Sequence, residues 1–292
     1  MTSVIIFGPT GQVGSVAART AGELRAKVWL AMRDISKSIP GLTKESESTG
    51  DYHRTQADLE KPKTVSQAIK TSGAKRAFIY LVHHTSDHLR GAITAMKKTG
   101  INFVVFLSSF TISVNQGLRK IPPDDLIPYV HAQVEANLDD IFSSNHYIAV
   151  RPGCFITNLL SEKAGIAANN VRLYGANFPQ DNIIPSDISR VVGNIVVSGS
   201  KNGQKKVIPL WTRDTFKILG PKEGYNKYIN SGMPQVFADY IVKVMGTKGV
   251  DKGSGECFPN YQEGVSNMKL YTGQKSTSLE EWVTQNKTIF DA

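Results

Sequence analysis

The chain is 292 residues long, with 40 % hydrophobic and 20 % charged residues. That is enough for one large α/β domain or a nucleotide-binding domain with a smaller appendage, and it excludes disordered or collagen-like chains. Two cysteines, Cys154 and Cys257, cannot build a disulfide framework or a four-thiolate metal site, which points to a reducing compartment. The formal net charge of +9 is scattered over both halves in pairs such as Lys75-Arg76, Lys97-Lys98 and Lys205-Lys206. No aromatic platform lies between these pairs, so the charge favours an anionic small molecule such as a nucleotide over nucleic acid.

The first 150 residues alternate short apolar runs with helical stretches. Strands are expected at Val4–Phe7, Lys27–Met32, His53–Ala57, Ala77–Val82, Asn102–Leu107 and Tyr147–Val150. Helices are expected at Val13–Leu24, at Pro62–Thr71 with proline in its first turn, at Asp87–Thr99 stopped by Gly100, and at Tyr129–Phe142. Continuous apolar strands separated by helices mean a parallel sheet covered on both faces. Six such units predict a Rossmann-like, doubly wound α/β sheet over residues 1–152. Beyond Pro152 the pattern loosens, with short strands at Val171–Tyr174 and Lys205–Leu210. A helix over Ser186–Val197, capped by Ser186 or Asp187, follows between them. Leu219–Met233 reads as loop, and Pro234–Met245 and Leu279–Phe290 as helices, so residues 153–292 are expected to form a small substrate-binding lobe. No apolar run approaches the roughly 18 residues of a membrane span, and Met1 to Gly8 lead straight into a strand without a secretory pattern. A soluble, cytoplasmic monomer or homodimer with no membrane partner is the expectation.

The strongest chemical signal is Gly8-Pro9-Thr10-Gly11-Gln12-Val13-Gly14, placed between a strand and a helix. Glycines there let the backbone turn tightly and approach a pyrophosphate, while the helix N-terminus offers aligned amides and a positive dipole. At the end of the second strand a carboxylate would hold a free ribose diol, whereas a cation accommodates a 2′-phosphate. The chain reads Met32-Arg33-Asp34 there, with Lys37 one turn on. Arg33 backed by Lys37 favours NADP (NADPH). NAD, with Asp34 reading its ribose, is the alternative. Asp58 lies at the adenine end or serves as a helix cap or turn residue. Val82 and His83 end the fourth strand beside the crevice, with His84 next to them, and are candidates for contacts to cofactor ribose or substrate.

Gly8 to Gly14, Arg33, the Asp58 segment, the Tyr129–Leu138 helix and Arg151-Pro152-Gly153-Cys154-Phe155-Ile156-Thr157-Asn158 together resemble the NmrA-like branch of the atypical short-chain dehydrogenase/reductases, in the style of its filamentous-fungal members. The resemblance spans about the first 200 residues well and the remainder loosely. It implies an NAD(P)-binding fold whose members are partly reductases, often of secondary metabolism, and partly catalytically silent redox-sensing regulators. The family pattern Tyr-x-x-x-Lys reads Tyr129-Val-His-Ala-Gln133 here, and a neutral glutamine leaves the tyrosine near its ordinary pKa of about 10. Isoflavone reductases place a lysine four residues before an acidic or basic residue on this helix. The matching position before Glu135 is His131, which titrates near neutrality and shares a helix face with Glu135. The pairing is expected to raise the basicity of His131.

The catalytic candidates are therefore His131, Tyr129 and Ser108, the serine orienting a reacting oxygen. Ser109, His84, Cys154, Phe155 and Asn158, with Leu159, are expected on the substrate side, Cys154 as a wall rather than a nucleophile. His53, His88 and His146 are too scattered for a metal site. The function expected is an NADPH-dependent reductase of a hydrophobic or aromatic small molecule, of the kind met as fungal secondary-metabolite intermediates. A silent NAD(P)-sensing regulator and a redox-neutral isomerase or cyclase are the alternatives.

Overall fold

The computed structural model describes residues 1–83, 85–112, 117–164, 179–201, 206–210, 215–217, 225, 229, 232–248 and 260–290. His84, Cys257, the expected strand at Val171–Tyr174 and most of the Leu219–Met233 segment lie outside them. Seven parallel strands form the main sheet in the order β3-β2-β1-β4-β5-β6-β9. They are β1 (Ser3–Phe7), β2 (Lys27–Met32), β3 (Tyr52–Gln56), β4 (Arg76–Tyr80), β5 (Phe103–Leu107), β6 (Tyr147–Pro152) and β9 (Val207–Leu210). Strand order reverses between β1 and β4, and the crevice at the carboxyl ends there is where this architecture receives ligands.

Both faces of the sheet are apolar, which explains the unbroken hydrophobic runs. On one face α1 (Gln12–Glu23), α6 (Pro185–Ser198) and α8 (Tyr261–Thr272) bury Ala17, Ala21, Val191, Ile195 and Met268 against the strands. On the other, α3 (Pro62–Ser72), α4 (Arg90–Thr99) and α5 (Leu126–Phe142) pack Val65, Ile93, Val134 and Leu138. Gly100, at φ +106°, ends α4 in the left-handed conformation that favours glycine.

The expected lobe beginning at residue 153 is divided between two places. α6 and β9 complete the main sheet, whereas β7 (Cys154–Phe155), β8 (Pro179–Ile183) and β10 (Thr215–Lys217) make a separate three-stranded sheet. The helix α2 (Lys44–Thr49) was not expected, because it buries no residue and has no apolar period. It is held by its ends: Thr43 Oγ1 accepts from the Ser46 amide, and Glu45 and Glu47 sit in its positive first turn. The helix α6 begins at Pro185 without a side-chain cap. Asp187 instead turns inward, where its carboxylate accepts from the Thr277 amide and from Arg190. The expected last helix is two, α9 (Leu279–Gln285), opened by a Ser278–Glu281 capping box, and α10 (Lys287–Phe290), while α7 spans Gln235–Lys248. Among the described residues no helix is long and apolar enough to cross a membrane.

Candidate cofactor and active site

The glycine loop leaves β1 at Gly8, whose φ of +70° suits a residue without a side chain. A Cβ on Gly8 would lie 2.5 Å from the ring of Tyr80, and a Cβ on Gly14 only 2.2 Å from the Gly8 carbonyl oxygen. The first turn of α1 thus lies directly against the loop, closed by Gly11 N–H donating to Gly8 O at 3.1 Å. Gly11 supplies no side-chain cap and no acidic residue occupies the first turn. The first amides of a helix lack internal acceptors, so this end is a positively polarised cradle open to an anion. That donor set fits a dinucleotide pyrophosphate. Thr10, Gly11 and Gln12 are exposed at the cradle, while Val13 is buried in the core, so its side chain packs rather than contacts. We expect Gly14→Ala to weaken binding of any nicotinamide dinucleotide about ten- to a hundredfold, because its clash is with backbone. Calorimetric titration with NADPH and NADH would check this, and unchanged affinity would refute it.

Arg33 leaves the end of β2 exposed, and its guanidinium makes no hydrogen bond or ion pair among the described residues. It lies close enough to Tyr80 for its charge to act on the phenol, although burial dominates and raises that hydroxyl's pKa. The carboxylate of Asp34 is used locally, accepting from the Ser36 amide at 2.9 Å and its hydroxyl at 2.6 Å. Those hydrogen bonds hold its pKa below the ordinary carboxylate value. Asp58 acts as a turn residue, accepting from the Glu60 amide at 3.0 Å and pairing with Lys61 at 3.7 Å.

On α5 the expected residues separate. Two positions apart on a helix point to nearly opposite faces, and Tyr129 and His131 do so. Tyr129 packs edge-on to His88, ring centroids 5.6 Å apart, beside Ile112, Ile121 and Ala132. His131 lies beside Phe106 of β5, with ring centroids 6.3 Å apart. Its Nδ1 is 2.9 Å from the carbonyl oxygen of Ile127. A carbonyl can only accept, so Nδ1 carries the hydrogen and Nε2 keeps its lone pair.

The expected rise in His131 basicity is reversed. Burial lowers its pKa, and the opposing influences of the Ile127 carbonyl and the more distant Glu135 carboxylate are smaller. Glu135 is occupied elsewhere: fully buried, it accepts from Arg151 Nε at 3.0 Å, Arg151 Nη2 at 2.6 Å and Ser108 Oγ at 2.5 Å. Ser108 is therefore fastened to a structural ion pair instead of presenting its hydroxyl to a reacting oxygen. Ser109 is turned to its own loop, 2.9 Å from the Thr111 hydroxyl.

His83, beyond β4, is exposed and lies edge-on to Phe237 of α7, with ring centroids 6.4 Å apart. It is also near enough to His131 to oppose that ring's protonation. Val82 is half-buried beside it. Beyond β6, burial pushes the Cys154 thiol up to about 12, which makes it inert. Phe155 packs partly into the core, Leu159 packs beside Trp282, and Asn158 is exposed. The neighbouring Thr157 donates to Gln12 Oε1 at 3.0 Å, tying the glycine loop to the segment after β7.

Tyr80, Thr157 and Phe237 escaped the sequence reading. Only the alternation of β4, which brings its last residue level with Gly8, carried a trace of the first.

A family model described as NAD(P)H-binding matches residues 8–196. The chain belongs to this NAD(P)H-binding family. Within it the chain is of the NmrA-like kind. It is 32 % identical to a nitrogen metabolite regulation-like protein of Gibberella fujikuroi, over 97 % of this chain and 95 % of that one. Among solved structures it is similar to the NADPH-dependent quinone oxidoreductase of Escherichia coli in complex with NADPH (TM-score 0.71, 16 % identity, 97 % and 99 % of the two chains). It is equally similar to Nmra, a negative transcriptional regulator (TM-score 0.71, 13 % identity, 98 % and 95 % of the two chains). At such identities these two establish the Rossmann-like fold alone, which a reductase and a transcriptional regulator share.

Proposed function

We propose that this NAD(P)H-binding protein is an NADPH-dependent reductase of a hydrophobic or aromatic small molecule. The observation that carries the proposal is His131, a half-buried imidazole whose Nε2 has no hydrogen bond among the described residues, beside His83 at the crevice. The dinucleotide, when bound, supplies the hydride. His131 moves the accompanying proton at Nε2, and the Ile127 carbonyl holds the ring in its tautomer. The rings of His83 and Phe237 offer an aromatic surface to a planar substrate. Tyr129, on the opposite face of α5 and without a lysine at position 133, takes no part. The test is consumption of NADPH with small naphthoquinones and enones as oxidants, and complete inertness towards both would count against a reductase.

The preference for NADPH rests on Arg33 and Lys37 standing unpaired at the end of β2 while Asp34 is consumed by its own turn. Arg33→Ala should raise the Kd for NADPH about ten- to a hundredfold and leave NADH within about twofold. Equal weakening of both would remove Arg33 as the phosphate reader.

A second reading is a regulator that binds the dinucleotide without turning it over. It is favoured by Gln133 at the lysine position and by the regulation-like name of the 32 % identical relative. Different affinities for NADPH and NADP⁺, with no oxidant consumed, would select it.

A further inference from the structure

The loop that carries Arg33 and Lys37 is exposed and polar, and a loop of that kind is ordinarily mobile. Here its carbonyls are gathered by two side chains of β3. Gln56 Nε2 donates to Arg33 O at 3.0 Å, and Arg54 Nη1 donates to Ile35 O at 2.5 Å and Lys37 O at 2.8 Å. Arg54 and Gln56 are two residues apart on one strand and so share a face. The other edge of the guanidinium is gripped by Glu47 of α2, Nε to Oε2 at 2.7 Å and Nη2 to Oε1 at 2.5 Å. Both charged groups of this pair are mostly shielded from water, with 23 % and 15 % of their side chains exposed. One planar cation thus spans four acceptors, two of them carbonyls within four residues of Arg33. The side chains of Arg33 and Lys37 remain without a hydrogen bond or ion pair among the described residues.

We infer that Arg54, fixed by Glu47, is a positioning residue for dinucleotide selection: it holds loop 33–37 in the shape that presents Arg33 and Lys37 to a 2′-phosphate. The inference rests on the reading that these two cations recognise that phosphate. The physical reason is pre-organisation. A loop already tied at Ile35 and Lys37 loses little conformational freedom when the phosphate arrives, so the charge-assisted contacts appear as affinity. A lysine at position 54 cannot replace the fork, because an ammonium is a point charge that cannot grip Glu47 side-on and span both carbonyls.

The experiment measures Kd for NADPH and for NADH by calorimetry on the full chain and on the Arg33→Ala, Arg54→Met, Arg54→Lys and Glu47→Gln variants. NADH uses the same glycine cradle without the 2′-phosphate, so it reports any general loosening of the fold. Arg54→Met should lower the NADPH-over-NADH preference about tenfold with NADH within about twofold, Arg54→Lys should not restore it, and Glu47→Gln should act in the same direction. If Arg33→Ala abolishes the preference while Arg54→Met and Glu47→Gln leave it intact, the clamp is overturned. Equal losses for both dinucleotides in Arg54→Met would also overturn it, by showing a purely structural role. If Arg33→Ala leaves the preference unchanged, the phosphate reading falls and takes the clamp with it. Should Arg54→Met fail to fold, Glu47→Gln carries the same comparison.

Discussion

Replacing His131 with alanine should lower turnover by about a hundred- to ten-thousandfold, the usual range for removing a proton-transferring side chain, while NADPH binds as before. The side chain reaches none of the elements that form the glycine cradle or the Arg33 loop, so binding is the internal control. The pH profile follows from the direction of the shift. Burial holds His131 below the ordinary histidine value of 6.5. At neutral pH it is therefore mostly the neutral imidazole, and reduction, which needs a donated proton, should speed up as pH falls below 6.5 and level off below the depressed value. The same shift bears on stability. The unfolded chain takes up this proton first, so the contribution of the neutral ring is complete above 6.5 and is lost as pH falls through the folded value. Steady-state rates of NADPH oxidation with a naphthoquinone, across pH, would check both. A His131→Ala protein with undiminished turnover would exclude this residue from the chemistry.

The second large effect is on folding. Glu135→Ala should destabilise the protein by about 3–5 kcal/mol, because it strands the Arg151 guanidinium in the interior between β6 and α5. The substitution also leaves the Ser108 hydroxyl without its acceptor. Replacing both Glu135 and Arg151 with apolar residues of similar volume should cost far less, since no orphaned charge remains. Urea unfolding of the two variants would measure the difference. A loss below about 1 kcal/mol for Glu135→Ala would mean that water reaches Arg151 and that the pair is not a buried anchor.

The two predictions mark where local sequence meets its limit. The glycine loop was legible because its requirements are local: a strand before, a helix after, and glycines where a Cβ would strike Tyr80 or the Gly8 carbonyl. Arg33 and Asp34 were legible as alternatives, since the chain order puts both at the end of β2. That Ser36 occupies the carboxylate of Asp34 is seen only in the folded chain. On α5 the spacing of Glu135 and His131 was correct, yet their partnership was not, since Glu135 faces a cation sixteen residues on in sequence. A signal for that existed in Arg151, a charge inside an otherwise apolar strand, which demands a buried carboxylate. The helix α2 and the Arg54 clamp left none, for the helix has no apolar period and a single strand arginine reads as an ordinary surface charge.

By itself, then, the sequence determined the parallel sheet and its order of units, the glycine loop between β1 and α1 and the family. Each follows from hydrophobic periodicity and glycine sterics that act over a few neighbouring residues. Tertiary structure alone decided which titratable groups meet. It gave Glu135 to Arg151 and Ser108, lowered the pKa of His131 by burial, and brought Arg54 under the loop of Arg33. Those outcomes depend on desolvation and on hydrogen bonds between distant segments, and both come into being only when the sheet and its covering helices close over them.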